Sequence, residues 1–232
     1  MPRRARVYID GYNLYYGIVE AYGHKPGTKG AKLKWLDVRK MSELLLKPGE
    51  SLDRVKYVTA RIKSPEDRRL RQAAFLDVTK ELRDVEVFEG RYQNNLKWCA
   101  GCQSMQPRFE EKKSDSYLTA QIVSDAHLGL ADIIYVVTGD SDVVPAIETV
   151  RAHCPHIPVL VAFPPKRHCR ELDQLATARL DISESILTRS QLPDVVQLRS
   201  GFKITRPNEW TGPISTITNA STTTTGRSSM NA

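Results

Sequence analysis

Two short apolar runs in this chain lead within a residue or two to an aspartate and then pass into helical sequence. Arg6-Val-Tyr-Ile-Asp10 continues as Gly-Tyr-Asn13, and Ile133-Ile-Tyr-Val-Val-Thr138 continues as Gly-Asp140-Ser-Asp142. A strand that ends this way carries its carboxylate to the carboxyl edge of a sheet, where open α/β sheets bind their ligands.

The rest of the chain alternates strand and helix signals in the same manner. Asn13 to Ala21 reads as a short helix, 23–34 as a mobile basic loop, and Trp35 to Leu46 as a helix stopped by Lys47-Pro48-Gly49. A strand lies within Leu52 to Ile62. Ser64 and Pro65 then suit the N-cap and first position of a long helix that would bury Leu70, Ala74, Val78 and Leu82. Val85 to Glu89 is a strand, followed by a polar insert at about 92–110 and a helix through Leu118, Ile122 and Ala126. After the strand at Ile133 to Thr138 come a helix at Val143 to Ala152, a strand at Pro158 to Phe163, a helix at Arg170 to Ala178 and an edge strand near Leu180-Asp-Ile182. This order predicts an α/β fold, a mostly parallel central sheet of five to six strands with helices on both faces. With the first strand central and the 133–138 strand beside it, Asp10 and Asp140 become neighbours at the switch in strand order.

A length of 232 residues suits one domain, assigned to 1–211. The Ser/Thr-rich stretch 212–232 is too polar to bury a core and is expected to be a disordered tail. No apolar run exceeds strand size, which argues against a membrane span. No apolar signal region follows Met1-Pro-Arg-Arg, and with four cysteines a reducing, cytoplasmic location is expected. The net charge of +7 fits a polyanion partner, nucleic acid first, and equally an ordinary solvated surface.

Several carboxylates at one sheet edge repel one another unless a hard cation lies between them. Asp10, Asp115, Asp140 and Asp142 are therefore candidate magnesium or manganese ligands and catalytic residues, with Asn13 beside them. Each also fits a structural role: Asp115 and Asp142 as helix caps, Asp10 and Asp140 as turn residues beside glycine. Lys166 and Arg167, after the strand ending at Phe163, and Ser141 are candidate substrate contacts on the same edge, or parts of a solubilising loop. Tyr12, Tyr15 and Tyr16 lie close enough for one to stack on an unpaired base, although helical spacing sends at least one of them to the core. Cys99 and Cys102 have the spacing of half a zinc site, which a second subunit could complete in a homodimer, or they are loop thiols.

Three motifs together resemble the NYN domain, a branch of the PIN-like nuclease superfamily: Ile9-Asp10-Gly11-Tyr12-Asn13, Glu111-Lys112-Lys113-Ser114-Asp115 and Thr138-Gly139-Asp140-Ser141-Asp142. The likeness runs from Arg6 to about Trp210 and is nearest to bacterial stand-alone NYN proteins. It implies a Rossmann-like PIN fold and a magnesium- or manganese-dependent endoribonuclease acting on single-stranded RNA, or a regulatory RNA-binding module of that fold. Asp10, Asp115, Asp140 and Asp142 fall on the family's acidic metal site, Asn13 on a supporting position, and Lys112 on the basic residue before the helix-borne acid. One departure is Gln121, where members often carry a further acid.

Overall fold

The computed structural model describes residues 1–112 and 114–212, with side chains described outside 91–97, 99 and 106–115. Strand β1 (Arg3–Asp10) shows why the sheet is covered on both faces. Ala5, Val7 and Ile9 enter one apolar cluster and Tyr8 enters the other. Strand β5 (Ile133–Val137) divides likewise, with Ile133, Tyr135 and Val137 on one face and Ile134 and Val136 on the other. This is the two-residue period of a strand buried on both sides, as parallel sheets require.

The central sheet has six parallel strands in the order β3 (Val85–Cys99), β2 (Glu50–Ala60), β1, β5, β6 (Val159–Phe163) and β7 (Ala178–Asp181). Strand β4 (Ser104–Lys112) adds to β3 in antiparallel register, Arg91 opposite Lys112 and Cys99 opposite Ser104. One face is covered by helices α1 (Gly11–Tyr22), α3 (Val38–Leu45) and α4 (Glu66–Glu81), the other by α5 (Ser114–His127) and α6 (Val144–His153). The expected Rossmann-like α/β architecture is present, with β1 central and β5 beside it.

The rim at β7 is short. Its four residues alternate between half-buried and exposed, and the two exposed ones are Arg179 and Asp181. Arg179 also pairs with Asp173 at 2.6 Å.

Five local expectations need correction. The supposed mobile loop 23–34 contains helix α2 (Lys29–Leu33), capped by Thr28, whose hydroxyl accepts from the Ala31 amide. Gly30 lets α2 press against the end of α1, because a Cβ there would lie 2.0 Å from the Gly23 carbonyl oxygen. The next helix begins at Val38 rather than Trp35, since Asp37 caps it by accepting from the Lys40 amide. Helix α4 starts after Pro65 without a side-chain cap. Its buried face is Phe75, Leu76, Val78 and Thr79, while Leu70 is exposed. The polar insert is the outer part of the β3–β4 hairpin, and the expected 170–178 helix stops at Leu175, giving way to β7. The tail lies outside the described residues from 213 on. Among the described residues, no helix is long and apolar enough to cross a membrane.

Candidate functional site

At the switch point Ile9 pairs with Val137, so the chain leaves β1 and β5 side by side. Asp10 caps α1, its Oδ1 accepting from the Asn13 amide at 2.9 Å, and its Oδ2 accepts from the Thr138 hydroxyl at 3.1 Å. Asn13 reaches across and accepts from the Gly139 amide at 2.8 Å. Asp140 accepts from the Asp142 amide at 3.1 Å and so caps the single 3-10 turn Ser141–Val143 that leads into α6. A Cβ at Gly139 would come within 2.9 Å of the Arg167 backbone, so only glycine lets the 164–168 segment close over this turn.

Asp10, Asp140 and Asp142 line one hollow, but it holds only about 10 Å³, room for roughly one water. Asp10 and Asp140, expected from the sequence to be turn residues, are engaged by backbone amides as caps of their own helical segments, while α6, which Asp142 was expected to cap, starts without a side-chain cap. Among the described residues, no group of three or more His, Cys, Asp or Glu side chains is arranged to hold a metal ion. Asp115 lies in α5, but its side chain, like those of Lys112 and Cys99, is outside the described set. Cys102 is exposed, with Sγ 3.2 Å from the Ser104 hydroxyl. Ser141 and Lys166 are exposed, and Arg167 is engaged by Glu20 at 2.9 Å.

The capping geometry makes a measurable prediction. Asp10→Ala should lower unfolding free energy by about 1–2 kcal/mol in urea titration, with Asp10→Asn costing less because asparagine also caps. A more stable alanine variant would mean that repulsion among the carboxylates outweighs the cap.

On the other face lies a cavity of about 520 Å³, within the range of small-molecule sites. Helix α1 supplies Tyr12, Tyr15 and Tyr16, β2 supplies Tyr57 and Thr59, and α4 supplies Arg68, Arg71, Gln72 and Phe75. Lys34 and Trp210 close the far wall. Tyr12 and Tyr16 are stacked at 6.0 Å between centroids, and Tyr16 meets Tyr15 edge-on at 5.3 Å. Behind them Tyr57, Phe75, Trp210 and Trp35 form a chain of ring contacts at 5.9–6.5 Å. Burial raises the Tyr15 phenol above its ordinary value, with Tyr16 adding to the effect. Burial, followed by the charges of Arg71 and Arg68, lowers the Lys34 ammonium to about 8.

The sequence reading did not find this cavity. Its walls come from α1, β2, α4, the segment around Lys34 and the far Trp210, which no local pattern connects. A usable signal was the apolar run Leu33-Lys34-Trp35-Leu36, since a lysine set in such a run is drawn into the interior with its neighbours.

No family model matches the chain. The sequence is 30% identical over 251 aligned residues to 6-hydroxy-3-succinoylpyridine 3-monooxygenase HspA of Pseudomonas putida, spanning 91% of this chain and 76% of that enzyme. The chain belongs to the HspA family. The crystal structure of a Vibrio parahaemolyticus protein of unknown function matches with a TM-score of 0.51 and 17% identity, covering 79% of this chain and 94% of that one. That likeness bears on the fold alone.

Membership in the HspA family overturns the expected endoribonuclease, and with it the hydrolase chemistry and the magnesium or manganese cofactor. The named relative is a monooxygenase, hence an oxidoreductase. The physical reason for the misreading is that carboxylates used as helix caps and carboxylates used as metal ligands occupy the same positions after β1 and β5.

Proposed function

We propose that the chain is a monooxygenase of the HspA family acting on an aromatic or heteroaromatic compound, with the tyrosine-walled cavity as its substrate site. The supporting observation is the 30% identity carried across most of both chains. The cavity agrees in size and chemistry: planar side chains on several sides, interspersed with charged and polar groups, suit a ring of one or two cycles that carries polar substituents. In this reaction class one atom of dioxygen enters the organic substrate and the other leaves as water. A donor such as a reduced nicotinamide or flavin supplies two electrons, and two protons complete the balance.

A dinucleotide laid across the switch point does not fit the residues there. The N-terminus of α1, which would face the pyrophosphate, is already capped by Asp10, and Asp140 and Asp142 line the same small hollow. Carboxylates would meet phosphates, so no step is assigned to a cofactor at that edge. The NYN likeness belongs to this reading as a statement about the scaffold, whose Asp-ended strands turn the chain into its helices.

The test supplies purified protein with 6-hydroxy-3-succinoylpyridine, reduced nicotinamide and free flavin under ¹⁸O₂. Substrate-dependent oxygen uptake should match donor oxidation, with one labelled oxygen in the product. Absence of label across nicotinamide and flavin donors, with this substrate and simpler hydroxypyridines, overturns the reading.

A further inference from the structure

Lys34 is the least expected residue in the cavity wall. It is 8% exposed, and its ammonium donates to the His24 carbonyl at 3.1 Å. Otherwise it faces the rings of Tyr15 and Trp210, at 5.8 and 5.9 Å from their centroids. An ammonium has three protons to place, and a buried one without a counter-ion is costly. Two acids line the same cavity, but neither serves Lys34. Asp67 and Glu209 both pair with Arg71, at 2.8 and 2.9 Å. Arg68, exposed at the cavity wall, has no ion pair among the described residues. The site thus pairs aromatic walls with a desolvated positive charge that the protein itself leaves uncompensated.

We propose that Lys34 receives the carboxylate of a small aromatic acid, whose ring lies among the tyrosines of α1 and whose arm reaches the far wall. The aromatic part rests on the proposed function above, whereas the carboxylate contact is read from the geometry of Lys34. An amphipathic acid of this kind meets both halves of the cavity. The ring replaces water against apolar surface, and the carboxylate supplies the missing acceptor. A bulky phosphate ester is a poorer match, since Lys34 is a single buried cation and Arg71 is already engaged.

The charge on Lys34 also sets a pH dependence. The groups around it are Tyr15 on α1, His24 and Lys25 in the following loop, Asp67, Arg68 and Arg71 on α4, and Glu209 beside Trp210. With the ammonium lowered to about 8 by burial and by the charges of Arg71 and Arg68, its proton is lost as pH rises past that value. Carboxylate affinity should therefore be greater at pH 7 than at pH 9.5.

The probe is 4-oxo-4-phenylbutanoate, compared with its primary amide, by calorimetry on the full chain. In the parent the acid should bind at least about tenfold more tightly than the amide, the range of one charge-assisted hydrogen bond. Lys34→Met should remove that preference while leaving amide binding in place. The acid's advantage in the parent should shrink between pH 7 and pH 9.5, a measurement that needs no variant to fold. Equal binding of acid and amide by the parent, a preference retained in Lys34→Met, or full displacement by millimolar inorganic phosphate would each overturn the proposal. Carboxylate preference without turnover leaves this inference standing and removes the monooxygenase reading. Turnover without carboxylate preference does the reverse.

Discussion

Asp125→Ala should lower the unfolding free energy by about 3–5 kcal/mol, because it leaves the buried Lys56 ammonium without its counter-ion, while Arg6 keeps Asp53 at 2.7 Å. Asp125, on α5, is 3% exposed, and its Oδ2 accepts from Lys56 at 2.6 Å and from Tyr8 at 2.7 Å, with Arg6 Nη1 at 2.9 Å. Lys56, on β2, is itself only 5% exposed and also donates to Gln121 at 2.6 Å. This cluster ties α5 to β1 and β2. It also gives Gln121 a structural role, because its side chain accepts from Lys56. Urea and thermal unfolding measure the loss. A double variant, Lys56→Met with Asp125→Leu, should recover much of it, since a buried ion pair replaced by packed apolar groups is often neutral. If Asp125→Ala unfolds with the parent's midpoint, the cluster carries none of the stability assigned to it.

The same carboxylate gives the protein an acid limit. Burial alone would raise the Asp125 value, but donation from Lys56, Tyr8 and Arg6 outweighs it and holds the group below the ordinary range. A depressed carboxylate adds stability that is fully present above its unfolded value, near pH 4, and is lost as pH falls through the folded one. Stability plotted against pH should therefore fall less steeply on the acid side in Asp125→Ala than in the parent.

Trp35→Ala should cost about 3–5 kcal/mol, the range for deleting a large buried aromatic. Trp35 is fully buried, and its indole nitrogen donates to the Pro193 carbonyl at 2.8 Å. Its ring supports Phe75 and Trp210, at 6.5 and 6.2 Å between centroids, and both of these line the cavity. Truncation removes the backing of two wall residues as well as a core side chain. Ligand affinity should fall together with stability, although Trp35 itself does not face the cavity. Trp35→Phe keeps a ring but leaves the Pro193 carbonyl without its donor, so its cost should be smaller. Chemical denaturation and calorimetry of the same variants separate the two effects, and a stable Trp35→Ala protein would show that the 190s segment packs without this anchor.

Parts of this molecule were legible along the chain and parts were not, for physical reasons. Val7 to Ile9 and Ile133 to Val137 are apolar at every position, the mark of strands buried on both faces, so the parallel sheet and its switch point followed. Leu70 was misplaced because helical spacing alone does not say which apolar stripe faces inward; Phe75, Leu76 and Val78 bury instead. The β3–β4 hairpin was missed because Arg91 to Lys97 is largely polar and lacks the two-residue alternation of a half-buried strand. Lys34 sits in the 23–34 stretch that reads as a basic loop, since charge is read one residue at a time while burial depends on distant Trp210 and α4. The function misled for a related reason: an aspartate after a strand has the same sequence whether it binds an ion or a backbone amide.

The rim at β7 bears on how copies of the protein meet. A sheet margin offers unpaired amides and carbonyls to any neighbouring chain, and long flat apolar margins nucleate aggregates. Here only four residues are on offer, and the side chains that turn outward are an arginine and an aspartate. Docking a second margin would require stripping water from both charges for the gain of a few hydrogen bonds. Concentrated solutions of this protein should therefore resist fibril growth from that side.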